Sequence, residues 1–375
     1  MTSRPEDLAL PLPPLSAAPG AIDPGAIDPA GLVPGLRIRL GPLRLRVARR
    51  PLATGLGLLA ALLVVGVAAL GTGDFQVSPA DVLRTLAGHG TGTTDFVVND
   101  LRLPRLALGT VVGAALGLSG AVFQSLARNP LGSPDLIGFE TGAATGALLQ
   151  ILVLGGGPFA VALGAVGGGF ATALVVYLLA YRRGVQGYRL IVVGIAAGAL
   201  LSSVNAYLMT EASIDEAQAA AVWLTGSLNG RGWEQFAPAA AAVGLLLPAV
   251  LLMGRHLRLM ESGDDSAKAL GVPVERSRAL LVVCAVLLAA VATASAGPVS
   301  FVALAAPQLA RRLSGAAGVS LLPSALMGAV LLCAADLAAQ RVLAPVQLPV
   351  GIMTAAIGGL YLVWLLSHEW RSGRR

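Results

Sequence analysis

The sequence predicts an all-α polytopic membrane protein of about ten transmembrane helices. Three observations predict it. The 375-residue chain is 55% hydrophobic and only 12% charged, about half the charge of a water-soluble domain. The charges are clustered: Asp, Glu, Lys and Arg are absent from 51–73, 106–127, 141–181, 190–210, 235–254, 279–310, 313–335 and 342–368. A helix needs about 20 apolar residues to cross a bilayer. The chain also holds 47 glycines, and small residues let helices approach closely in lipid.

Taken in order, residues 1–50 read as a disordered Pro/Ala-rich tail with a basic flank, including the near-repeat "GAIDPGAIDP" at 20–29. Such composition cannot build a core. Residues 51–370 form the helical domain. The window 141–181 breaks at "GGGP" (155–158) and the window 279–310 at "AGPVS" (296–300). The spans are then 52–72, 104–127, 134–153, 159–181, 188–209, 235–254, 277–296, 299–313, 320–340 and 349–367. The eighth is short, so a half-length or steeply tilted helix is expected there. The first outer loop, 73–101, carries Asp74, Asp81, Asp95 and Asp100 and leads into "RLPR" (102–105). Within the outer segment 210–234, the stretch 215–232 reads as an interfacial helix ending at Gly226 or Gly230. A shift of five spans reverses orientation, so spans 2–5 and 7–10 are candidates for an inverted repeat.

Orientation follows from basic residues, which concentrate on the cytoplasmic side. With both termini inside, 21 of the 26 basic residues are cytoplasmic, against Arg84, Arg102, Arg105, Arg231 and Arg341 outside. The positive charge is thus a topology signal. No basic stripe interleaved with aromatics marks a nucleic-acid partner; the partner of this surface is the lipid bilayer of the cytoplasmic membrane. Cys284 and Cys333 fall within spans and read as small apolar packing residues. Neither a disulfide framework nor a metal spacing is present, and no cofactor or metal is implied.

The enzyme readings lack their parts. "GLSG" (117–120) places Ser119 in a span, but an intramembrane serine protease needs a base to activate it. His89, His256 and His368 all lie outside the spans. Neither an HExxH motif nor a GxxxxGK[ST] phosphate loop occurs. Few ionisable groups reach membrane depth: Glu140 lies early in the third span and Asp336 near the outer end of the ninth. An ion-coupled carrier keeps acids near the midplane, so that alternative lacks a central candidate. Gln124, Gln150, Asn205 and Gln308 read as interhelical hydrogen-bonding residues. A transporter without an internal energy source points to an external motor.

The stretch "ESGDDSAKALGVPVERSR" (261–278) is the polar exception between two apolar spans. Seven of its eighteen residues are charged and Lys268 is the sole lysine of the chain. Ser262 is positioned to cap a helix from Gly263 with Asp265 at its third position, a capping box. Asp264 and Asp265 suit the positive end of the helix dipole. Gly271 is a natural stop, and Pro273 can open a second short helix. Two such turns are marginal alone and need a surface. They read as a docking element for a cytoplasmic partner, with Ala267, Leu270 and Val272 as its apolar contacts.

Several long stretches carry a family resemblance: "RLPRLALGTVVGAALGLSGAVFQSLARNPLGSPDLIGFETGA" (102–143), "GSLNG" (226–230), "GDDSAKALGVPVERSR" (263–278), "GPVSFVALAAPQLARRLSG" (297–315) and "ADLAAQRVLAPVQLPVGIMTAAIGGLYLVWLL" (335–366). In this order they resemble the FecCD/BtuC-type permease subunits of bacterial ABC importers for ferric siderophores, haem and vitamin B12, most of all the ferric enterobactin branch. The resemblance implies a type II ABC importer fold with ten helices. It implies import of a ferric siderophore by alternating access, with haem or vitamin B12 as the alternative cargo. It also implies two cytoplasmic ATP-binding subunits that hydrolyse the ATP, a siderophore-binding protein outside, and a second related permease. A heterodimer is expected, with a homodimer as the alternative. The resemblance assigns ATPase coupling to Gly263, Asp264, Asp265, Ala267, Leu270 and Gly271. It assigns binding-protein docking to Arg102 and Arg105, which are expected to meet glutamates. A third docking arginine falls at Gln340 in the family pattern; here Arg341 stands one place later. The family commonly has a histidine where this chain has Gln308.

Overall fold

The computed structural model describes residues 35–40, 43–181, 187–316 and 318–372. The chain divides into two units, Met1–Arg49 and Arg50–Arg375. In the first, strands β1 (Gly35–Leu40) and β2 (Leu43–Ala48) pair antiparallel, with Arg37 opposite Arg46 and Arg39 opposite Arg44. The alternation in "LRIRL" and "LRLRV" is a period-two strand signal. Two strands alone are at best marginal, which is why composition reads this segment as tail. The Pro/Ala-rich stretch 1–34 lies outside the described residues.

The second unit is helical. Helix α1 spans Arg49–Gly71, and the first outer loop folds into α2 (Pro79–Leu86) and α3 (Gly92–Asp95). Ser78 caps α2 by accepting from the Asp81 N–H. A π-helical stretch (Phe96–Arg102) then runs directly into α4 (Leu103–Ala127). Helix α5 (Phe139–Leu148) extends through a π-helical turn to Val153, and α6 spans Pro158–Ala180 beyond the expected "GGGP" break. Helix α7 covers Gly187–Glu211, and the interfacial helix is α8 (Ile214–Leu224), opened by a Ser213/Glu216 capping box. Helices α9 (Trp233–Leu252), α10 (Gly254–Glu261), α11 (Asp264–Ala269) and α12 (Val274–Ala296) follow. Helix α13 (Val302–Ser314), α14 (Leu321–Arg341) and α15 (Val350–Ser372) complete the chain.

Each of the ten expected spans has a helical counterpart. Among the described residues, seven helices are long and apolar enough to cross a membrane, and Phe139–Val153 and Val350–Val363 are shorter apolar helices. Helix α13 has only 13 residues, about 20 Å, which is the half-length helix the sequence predicts. The third span differs at its start. Pro134 and the left-handed Gly138 hold 134–138 out of the helix, so α5 begins at Phe139.

Helix α4 is the hub, packed against α14, α12, α13 and α9. Its tightest seam is built on glycine. A Cβ on Gly113 would collide with the backbone of Gly328 and Ala329, and one on Gly117 with the Ser324 carbonyl. Close backbone approach of this kind is how membrane helices gain packing energy without a hydrophobic drive.

The packing pairs repeat under the five-span shift. Helix α4 packs on α14 as α12 packs on α6, α5 on α6 as α13 on α14, and α5 on α7 as α13 on α15. Both α5 and α13 follow a left-handed residue, Gly138 and Phe301. The two breaks meet, because the Phe301 N–H donates to Asp135 Oδ2 at 3.3 Å. Irregular backbone at membrane depth is tolerated where protein surrounds it.

Candidate functional site

The polar insert forms a joint between three helices. Ser262 does not cap α11. It closes α10, its N–H donating to the Leu259 carbonyl while the Gly263 N–H donates to that of Met260. The turn into α11 is made by Gly263 at φ 115°, a conformation that suits glycine. The expected second short helix is absent as a separate element: Pro273 opens α12 itself. Gly271 adopts the left-handed conformation that ends α11.

Asp264 lies between two guanidinium groups. Arg128 Nη2 donates to its Oδ1 at 2.5 Å and Arg278 Nη2 to its Oδ2 at 2.6 Å. Arg128 sits at the C-terminal cap of α4 with φ 48°, and its Nε and Nη2 also donate to the Met260 carbonyl. Arg278, buried on α12, is further paired with Glu275 at 3.0 Å. Burial pushes the Asp264 carboxyl up, but the hydrogen bond and charge of Arg278, with those of Arg128, outweigh it and hold the group below the usual aspartate range. A depressed folded-state pKa stabilises the joint above the unfolded value and loses that effect as pH falls through the folded one. The joint therefore stays charged near neutrality and loosens only in acid below the ordinary aspartate range. A polar cavity of about 210 Å³ lies beside it, lined by Gln124, Ser125, Arg128, Asn129, Glu261 and Arg311 among others.

The three expected apolar contacts divide. Ala267 is fully buried and Val272 is buried in the chain's own core, whereas Leu270 is 66% exposed. Ala267 and Val272 thus anchor the loop, and Leu270 is the apolar side chain it offers outward. Asp265 is exposed and pairs with Lys268 at 3.6 Å.

On the opposite face, the expected docking arginines bond to their own chain. Arg102 donates to the carbonyls of Leu70 (2.7 Å) and Phe75 (2.6 Å), pinning the first outer loop. Arg105 closes its fork on Asp336, with Nε to Oδ2 and Nη2 to Oδ1 both at 2.8 Å. Its Nη1 reaches Asn229 of the "GSLNG" loop at 2.5 Å and Gln347 at 3.3 Å. The Arg105 and Asp336 side chains are 14% and 9% exposed. Gln340 donates to Asp336 at 2.8 Å, so the family's arginine position is here a neutral donor to the same carboxylate. Arg341, in the last turn of α14, is exposed. Sequence reasoning assigned no role to Arg128, Arg278 or Asp336 at these sites. Their signal was present, as the rare charges flanking apolar runs.

Ser119 and Gln308 tie helices together, whereas Asn205, expected to do the same, has its Oδ1 buried without a hydrogen-bond partner. Ser119 is fully buried and donates to the Ala285 carbonyl at 2.7 Å, a packing contact in place of a nucleophile's. Gln308 donates to the Pro130 carbonyl and accepts from Tyr361, tying α13 to the turn after α4 and to α15. Glu140 lies buried in the first turn of α5.

Residues 61–368 match the FecCD transport family. The chain is 48% identical over 325 residues to the ferric enterobactin transport system permease protein FepG of Escherichia coli (strain K12), covering 87% of this chain and 98% of that one. It is 37% identical over 328 residues to the Fe(3+)-citrate import system permease protein YfmE of Bacillus subtilis (strain 168), covering 87% and 98%. A metal-chelate type ABC transporter solved in an inward-facing conformation superposes with a TM-score of 0.76 at 29% identity, over 84% of this chain and 99% of that one.

Proposed function

The chain belongs to the FecCD transport family, and from that premise we propose that it is the membrane permease subunit of an ATP-driven importer of a ferric siderophore of the enterobactin type. The observation that carries the reading is the 48% identity to the ferric enterobactin permease along almost the whole length of both chains. Two cytoplasmic ATP-binding subunits hydrolyse the ATP, and a related permease completes a heterodimer. A siderophore-binding protein delivers cargo outside, and both termini lie in the cytoplasm. Transport proceeds by alternating access: the loaded binding protein docks, the ATPases close, and the α11 turn carries that motion into the helices.

The local geometry supports this division of labour. The α11 turn presents Leu270, Asp265 and Lys268 outward while its other side is held in the fold. On the outer face, Arg341 is an exposed guanidinium within reach of a partner carboxylate, and Arg102 and Arg105 shape the platform around it. The test is co-purification in mild detergent with uptake assays. The chain is expected to bring down an ATPase and a second permease, and to support uptake of ferric enterobactin in preference to ferric citrate. Recovery of neither partner would overturn the reading.

A further inference from the structure

Helix α4 carries an arginine clamp at each end. At the outer end Arg105 grips Asp336, and at the inner end Arg128 grips Asp264. The two arginines are 23 residues apart in one continuous helix, about 35 Å. Its one proline, Pro104, sits in the first turn, where it does not kink a helix.

Between the clamps α4 is seated on three helices. Gly113 and Gly117 meet the α14 backbone, and Gly120 meets Ala303 of α13 so closely that a Cβ would collide. Ser119 Oγ donates to Ala285 of α12, and Gln124 Nε2 donates to Leu304 of α13 at 2.9 Å. A helix without an internal proline and so seated moves as a body, because packed interfaces switch between arrangements and do not deform continuously.

Neither clamp follows from chain connectivity. Arg105 and Asp336 are separated by 231 residues, and Arg128 and Asp264 by 136. The outer clamp also gathers Asn229 and Gln347 from two outer loops. The inner clamp takes hold of both the end of α10, through the Met260 carbonyl, and the start of α11.

We propose that α4 is the strut that transmits force between the outer docking face and the cytoplasmic coupling turn, with Asp336 and Arg128 as the positioning residues that fix its two ends. The proposal rests on the permease reading above. It adds two residues to that function and a mechanical link between its faces.

Mutations this far apart normally act independently, so dependence between the two ends is diagnostic. Asp336→Asn and Arg128→Lys are made singly and together in the reconstituted complex. The readout is stimulation of ATPase activity by the binding protein loaded with ferric enterobactin. Each single variant is expected to retain part of the stimulation, and the double variant to lose no more than the weaker single. Arg84→Gln, in an exposed pair of the outer loop, serves as the control whose loss multiplies with that of Arg128→Lys. Multiplying losses for Asp336→Asn and Arg128→Lys would overturn the strut.

Hydrogen exchange supplies a readout that needs no stimulation. Asp336→Asn is expected to speed exchange of amides 264–272 severalfold while the α4 interior stays protected. Faster exchange confined to the 226–230 loop would also overturn the strut. A wild-type complex that shows no stimulation by the loaded binding protein counts against the permease reading, and the exchange result then decides the strut alone.

Discussion

A guanidinium at 14% exposure persists only when its donors are met, and Arg105 is met on both edges by Asp336, Asn229 and Gln347. Removing one partner of such a pair costs about 3–5 kcal/mol because the other charge is left buried and alone. Arg105→Ala is therefore expected to lower the melting temperature of the purified protein sharply, and Arg105→Ala with Asp336→Ala to recover much of the loss. Thermal unfolding in detergent measures both. Equal melting of the single and double variants would show that the clamp carries no such energy. Rarity of charge nominates Arg105 and Asp336 from the sequence, but their pairing across 231 residues is a product of the α4–α14 seam.

At the scale of elements, α11 has six residues, too few to hold a helix in water. It persists because Ala267 and Val272 are buried beneath it and Asp264 is clamped from two sides. Leu270, directed outward, contributes little to that stability. Leu270→Asp is expected to fold normally, with a stability change within about 0.5 kcal/mol, and to lose association with the ATPase. Ala267→Asp is expected to disorder the turn itself. Circular dichroism with ATPase pull-down separates the two outcomes, and full association of Leu270→Asp would exclude the side chain from the contact. The sequence reading reached the turn from its charges, Gly263 and Gly271. It misplaced the cap at Ser262 because "SGDD" satisfies a capping box by spacing, while the Ser262 backbone is already committed to the end of α10.

At the scale of the whole molecule, two sets of helices repeat each other's packing around α4 and α12. Asp336, one buried acid of that architecture, is neutralised by Arg105, while Glu140 is buried in the first turn of α5 with its Oε1 unpaired. On the permease reading, uptake is expected to survive Glu140→Gln and to persist with a protonophore while ATP is maintained, yet to cease when the ATPase is deleted. Transport assays in energised vesicles measure all three. Collapse with the protonophore at constant ATP would favour the ion-coupled carrier.

The sequence by itself determined the membrane class, the placement of ten helices, the short α13 and the polar turn. Each of these depends on local hydrophobicity, charge and chain punctuation, which are legible in a short window. Tertiary structure alone decided which partners the arginines take. The forks of Arg102 and Arg105 are closed on Leu70, Phe75 and Asp336, while Arg341 is exposed. It likewise decided that Ala267 faces inward and Leu270 outward, and that one helix ends in an Arg–Asp clamp on each side. The physical reason is common to all three. A charge or a methyl group is local, whereas its partner is chosen by helices that meet across more than a hundred residues.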